Sequence, residues 1–242
     1  MSNDENNGMP KTNAWDAVAF LARSGLGAVP VAGAFLSEVV STLIPNQRSA
    51  RVEAYIKALS ERLDAVIDNE AMRDLANPWK IDLFEEGAFQ AARAVTDQRR
   101  EYIVSVVSRG LTGDDLAAAD ARTILSIIKE LDERQILILA RYLPQYGWGS
   151  DYYKQHAAVL DISEPLTMGS SQQTLTKRAY YDHAVSKLVA LNLLKESFRT
   201  GEYQLPKLDH NGRPEVSNRT LARLGAQVLE HLGFEVNIES YY

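Results

Sequence analysis

The sequence predicts a mainly α-helical protein: an N-terminal helical bundle followed by a second helical domain that carries a small β-hairpin. Three observations predict it. Apolar residues recur at three- and four-residue spacing through most of the chain, as one buried helical face requires. Proline and glycine interrupt that pattern often enough to leave helices of ordinary length. One stretch beyond residue 195 combines strand-like residues with an Asn-Gly turn.

With 242 residues, 45% hydrophobic and 24% charged, the chain can build one large or two small domains with hydrophobic cores. Without cysteine there is no disulfide framework, no thiolate metal site and no cysteine nucleophile. The organisation reads as a disordered polar tail over 1–13, a helical domain over 14–131 and the hairpin-bearing domain over 132–242. The tail lacks the basic stretch and apolar core of a secretory signal, which fits a cytoplasmic protein.

Ala17 to Ile44 is the most apolar segment, with Arg23 and Glu38 its only charges in 28 residues. Its middle, Gly25 to Gly33 around Pro30, breaks a helix, because proline lacks a donor and clashes with the preceding turn. Two helices in a hairpin result, each shorter than the ~20 residues that span a bilayer. In the second, Phe35, Leu36, Val39, Val40, Leu43 and Ile44 share one face. Gly33, Ser37 and Ser41 form a small-residue column that lets another helix approach closely. The apolar face is the candidate surface for a protein partner, for a second copy of the chain, or for a peripheral membrane contact through residues 17–44. Pro45 ends it.

From Gln47 to about Leu75, Val52, Ile56, Leu59, Leu63 and Val66 alternate four- and three-residue steps. The pattern lasts about two heptads, which fits a bundle helix better than a coiled coil. Asn77-Pro78 marks a break. One helix is then expected from Asp82 to about Arg109, burying Phe84, Ala88, Ala91, Ala92, Val95, Tyr102, Ile103, Val106 and Val107. Gly110 and Thr112-Gly113 close it. Asp114-Asp115 cap the next helix, whose apolar positions are Ile124, Leu125, Ile127, Ile128 and Leu131. Asp132 caps a helix over Ile136 to Leu143, which Pro144 ends.

After Pro144 the pattern gives a short helix over Tyr152 to Leu160, a polar connection over Asp161 to Ser171, and a longer helix from Gln172 to Leu194. The last has Tyr181, Val185, Leu188, Val189 and Leu191 as its apolar set. Its end, Lys187-Leu188-Val189-Ala190-Leu191-Asn192-Leu193-Leu194-Lys195, resembles the end of a winged-helix recognition helix. Such helices finish with a glycine that turns the chain through a left-handed residue. Asn192 stands at that position, and asparagine tolerates the conformation. A strand over Glu196 to Leu205, a turn at Asp209-His210-Asn211-Gly212 and a return strand over Glu215 to Asn218 follow as the wing. Thr220 to Leu232 is similar to the closing helix of winged-helix proteins. The resemblance implies a winged helix-turn-helix-like domain. Its partner stays open, since such domains bind either DNA or protein.

The net charge is -6, which argues against a nucleic-acid surface over the whole molecule. Residues 165–223 nevertheless hold 9 Lys+Arg against 5 Asp+Glu, a net of +4. DNA bound through residues 172–219 would meet Arg178, His183, Ser186 and Lys187 on the helix. Its phosphates would meet Lys177, Arg199, Lys207 and Arg213. Asp182 opposes this on the same helix.

No enzyme motif accompanies these surfaces. The four histidines share no metal-ligand spacing, and no HExxH, GxSxG, Walker or GxGxxG arrangement occurs. Gly25 to Gly33 lacks the lysine and Ser/Thr of a phosphate loop. No catalytic, cofactor-binding or metal-binding residue is therefore expected.

The middle of the chain carries a second resemblance. Asp97-Gln98-Arg99-Arg100-Glu101-Tyr102-Ile103-Val104-Ser105-Val106-Val107, then Ile124 to Glu130 and Leu131-Asp132-Glu133-Arg134-Gln135-Ile136-Leu137, is similar to the abortive infection alpha family of bacterial phage-defence proteins. The resemblance implies a bacterial, non-catalytic protein that acts during phage infection. Two functions follow as expectations: an interaction or effector protein of antiviral defence, or a winged-helix transcriptional regulator that reads DNA.

Overall fold

The computed structural model describes residues 18, 19, 21, 46–64, 74–201, 205–209 and 212–241. The polar tail, most of the segment expected to form an apolar hairpin with its Phe35–Ile44 face, and His210-Asn211 of the expected wing turn lie outside them. The fold is mainly helical: the described residues contain nine α-helices and one two-stranded antiparallel sheet. They divide into two compact units, one up to Leu125 and one from Ser126.

In the first unit, α1 (Asn46–Asp64) buries Val52, Ile56, Leu59 and Leu63 of the stripe its spacing predicts, and also Tyr55, while Val66 of that stripe lies outside the described residues. Residues 65–73 are outside the described set, and Leu75 is buried in a 3-10 turn over Asp74–Ala76. Asn77-Pro78 is a helix start as much as a break. The Asn77 side chain accepts the Trp79 N–H at 2.9 Å, and Pro78 takes the first helical position of α2 (Pro78–Arg93), where its missing donor costs nothing.

The single helix expected over Asp82 to Arg109 is two. α2 stops at Arg93 and α3 runs over Asp97–Thr112. Thr96 causes the break: its hydroxyl accepts the Arg99 N–H at 3.2 Å, giving a new helix start a side-chain partner. Val95, expected in the core, lies in the joint and is 82% exposed. α1, α2 and α3 pack on one another, and Gly87 lets them meet. A Cβ at Gly87 would lie 2.5 Å from the Tyr55 hydroxyl oxygen and 2.6 Å from Val107 Cγ2.

Asp114 caps α4 (Asp115–Glu130) by accepting the Ala117 N–H at 2.9 Å. Arg122 on α4 pairs with Asp82 at 2.7 Å. Lys80, only 1% exposed, is held by Asp74 at 2.7 Å.

In the second unit a reciprocal cap between Asp132 and Gln135 starts α5 (Glu133–Ala140). The helix expected over Tyr152 to Leu160 is two short pieces, α6 (Asp151–Gln155) and α7 (Ala157–Leu160). His156 between them has left helical geometry. Ser171 caps α8 (Gln172–Ala190), which buries Tyr181, Ala184, Val185 and Leu188.

Asn192 then turns the chain at φ +57°, the one positive φ at a non-glycine among the described residues. This is the left-handed junction that its place in the sequence predicts. β1 (Leu194–Phe198) pairs antiparallel with β2 (Val216–Leu221), Leu194 opposite Leu221 and Glu196 opposite Arg219. Both strands depart from expectation: β1 begins and ends earlier, and β2 continues to Leu221. Thr220 and Leu221, expected in the closing helix, are held by the sheet instead, because Lys195 and Leu194 offer them cross-strand partners. α9 (Arg223–His231) begins after Ala222, whose N–H donates to the Leu193 carbonyl at 2.9 Å. Gly225 sits on the same carbonyl: a Cβ there would meet Leu193 O at 2.2 Å.

Candidate functional site

The residues singled out in the sequence fall on α8 and on the hairpin that follows it. On α8, Arg178 Nε lies 3.2 Å from both carboxylate oxygens of Asp182 one turn on, and His183 is exposed. The Ser186 hydroxyl donates to the Asp182 carbonyl at 2.9 Å, a bond along its own helix. Lys187 reaches Glu130, donating to its carbonyl and lying 4.0 Å from its carboxylate. Lys177 donates to the Ala157 carbonyl at 3.3 Å.

Beyond β1 the hairpin narrows to three short segments that meet at Arg199, Lys207 and Glu215. Each donates its backbone N–H to another: Arg199 to Glu215 at 2.8 Å, Glu215 to Lys207 at 2.7 Å and Lys207 to Arg199 at 2.8 Å. The side chains repeat the association. The Glu215 carboxylate lies 2.8 Å from Arg199 Nη1 and 3.7 Å from Lys207 Nζ. At the turn, the Arg213 N–H donates to the Asp209 side chain at 2.9 Å, and the Arg213 side chain is exposed. Around these charges Phe198, Leu205 and Leu208 are 43%, 65% and 58% exposed.

Under α8 lies a cluster that sequence reading missed. The Arg141 guanidinium carbon is 5.7, 5.8 and 5.6 Å from the ring centres of Tyr142, Tyr153 and Tyr181, and Arg141 also donates to the Tyr181 hydroxyl. Cation–π attraction and this hydrogen bond hold a guanidinium in a half-buried place and fix α8 against α5 and α6. Burial pushes the Tyr181 phenol up to about 12 although Arg141 pulls the other way, and burial raises Tyr142 likewise.

The sequence displayed the cations but not their acidic partners, because Glu130 and Glu215 are reached only through tertiary contacts. Tyr180 and Arg134 were missed for the same reason: the Arg134 guanidinium lies 5.0 Å above the Tyr180 ring, joining α5 to α8. Phe35, Leu36, Val39, Val40, Leu43 and Ile44 lie outside the described residues. Among the described residues no cluster of three or more acidic or histidine side chains is arranged to hold a metal ion. No helix among them is long and apolar enough to cross a membrane.

These features define a helical protein with a charged and apolar hairpin beside a long, partly exposed helix. Comparison with protein-family models, with curated proteins and with solved structures returns no match to this chain.

Proposed function

We propose that this chain is a non-enzymatic interaction protein whose second unit is a winged helix-turn-helix-like domain that docks on a protein partner. The order α8, β1, β2, α9 with a left-handed junction at Asn192 supports the winged-helix reading. One observation favours docking over DNA reading. Arg178, Lys187, Arg199 and Lys207 each engage an acidic residue of their own chain, while the wing exposes Phe198, Leu205 and Leu208. Duplex binding depends on cations that exchange counterions for phosphates, and an internal carboxylate competes for them. Exposed apolar side chains within a polar rim are the composition of a protein interface. The resemblance of residues 97–137 to the abortive infection alpha family supports a place in bacterial antiviral defence.

Phage plating on cells that express the chain tests both parts. The intact chain is expected to reduce plaque formation, and Leu205→Asp with Leu208→Asp to restore it while the purified variant stays folded. Plaque formation unaffected by the intact chain defeats the defence reading.

The DNA-reading alternative draws on Arg213, whose side chain is exposed, and on Lys177, which donates to the Ala157 carbonyl and lies near enough to Asp161 to add to the Ser163 hydrogen bonds that lower its carboxyl. It requires salt-dependent duplex binding that Lys187→Glu with Arg213→Glu weakens. The apolar hairpin of residues 17–44 is proposed as a further surface for a partner or a membrane. Liposome flotation of the full chain against Phe35→Asp tests its membrane form.

A further inference from the structure

A groove of about 380 Å³ runs between α7 and the N-terminal half of α8, a volume inside the ~300–1,000 Å³ range of small-molecule sites. Arg134, Lys177, Tyr180, Gln173 and Thr176 line it over an apolar floor at Val159, and no carboxylate does. Arg134 has no ion-pair partner among the described residues and rests on the Tyr180 ring, which is 56% exposed. Lys177 spends one hydrogen bond on Ala157. The nearby acids, Asp161 and Glu164, border a separate cleft of about 280 Å³ on which Lys177 also opens. There Asp161 accepts the Ser163 N–H at 3.0 Å and is also held down by the Lys177 charge, so an incoming phosphate would share Lys177 with it, while Glu164 accepts the Thr174 hydroxyl at 3.1 Å.

We propose that this groove binds a nucleotide, with the phosphate between Arg134 and Lys177 and the base against Tyr180. A guanidinium presents two parallel donors to phosphate oxygens and an ammonium adds a point charge. Arg134 covers one face of Tyr180, and the rest of this half-exposed ring is left for a base to stack on. Gln173 and Thr176 supply neutral donors and acceptors for hydroxyls or base edges. A bare anion would leave Tyr180 and the apolar floor unused, and an apolar ligand would bury two cations without a counter-charge. The site is independent of the wing, so it stands or falls apart from the docking proposal.

Calorimetric titration of the full chain with adenosine 5′-monophosphate, adenosine, inorganic phosphate and a single-stranded oligothymidylate tests it. The monophosphate is expected to bind saturably and more tightly than adenosine or phosphate. Arg134→Ala and Lys177→Ala should each weaken it about tenfold or more, since each removes a charge-assisted contact. Tyr180→Ala should weaken the monophosphate and leave phosphate unchanged. An oligothymidylate that displaces the monophosphate identifies a nucleic-acid strand as the source, and one that does not identifies a free nucleotide; either supports the site. Thermal midpoints like that of the unaltered chain show that the variants are folded. The proposal is overturned if the monophosphate does not bind, if it binds equally to both cation variants, if phosphate binds as tightly, or if the oligothymidylate alone binds.

Discussion

Arg199 and Glu215 are joined twice, by a backbone hydrogen bond of 2.8 Å and by a guanidinium–carboxylate contact of 2.8 Å. Lys207 shares the same carboxylate. Glu215→Gln therefore frees two cations in one step. Because Arg199 and Lys207 are more than half exposed, the expected stability loss is only about 0–1 kcal/mol. Affinity for polyanions should rise, with the salt dependence of duplex binding steepened by up to about two phosphate contacts. Elution from a heparin column at unchanged salt would show that Glu215 does not restrain these cations.

Gly225→Ala separates close packing from helix propensity. In an isolated helix alanine gains about 1 kcal/mol over glycine. Here the added methyl group would lie 2.2 Å from the Leu193 carbonyl, so α9 must move off the β1 junction. The expected outcome is a net loss of about 1–3 kcal/mol, read from the urea midpoint. A gain in stability would show that the junction yields easily.

The tyrosines around Arg141 predict loss of stability in alkali. Folding raises the Tyr181 phenol from about 10 to about 12, so the folded state keeps a proton that the unfolded chain gives up. The contribution is whole below pH 10 and is lost as pH rises toward about 12. Tyr181→Phe should flatten this part of the stability–pH profile while forfeiting the bond from Arg141. An identical alkaline slope in the variant would assign the effect to Tyr142 or to another phenol.

Lys80 and Asp74 give an asymmetric pair. Lys80 is buried and Asp74 half exposed, so Asp74→Asn leaves an ammonium without its counter-charge. Lys80→Met removes the charge and keeps the stem packed, while Asp74 returns to water. Asp74→Asn is expected to cost more, by about 1–3 kcal/mol. Equal thermal midpoints for the two variants would contradict this.

Local chemistry was legible in the sequence. Asp114, Asp132 and Asn192 sit at the caps and the junction expected of them, and the α1 stripe is buried as its spacing requires. The break at Thr96 was hidden because Ala88, Ala92, Val95 and Tyr102 keep helical phase through it, and one threonine cap is a weak signal beside that periodicity. Thr220 and Leu221 misled for a different reason: their partners Lys195 and Leu194 are distant in sequence, and cross-strand pairing overrode a local helical pattern. The same distance hid the candidate site. Its cations could be seen, but their pairing with Glu130 and Glu215, and the stacking of Arg134 on Tyr180, exist only after folding.

Because α2 and α3 are joined by only three residues, their mutual surface can form early. The approach of Val107 to Gly87 closes a short loop, whose entropy cost is small beside that of bringing β2 back to β1. Local pairings of this kind set the rate at which a helical unit assembles. Val107→Ala should therefore slow refolding more than it hastens unfolding in stopped-flow measurements. The exposed joint at Val95 would then mark the hinge about which the first unit begins to collapse.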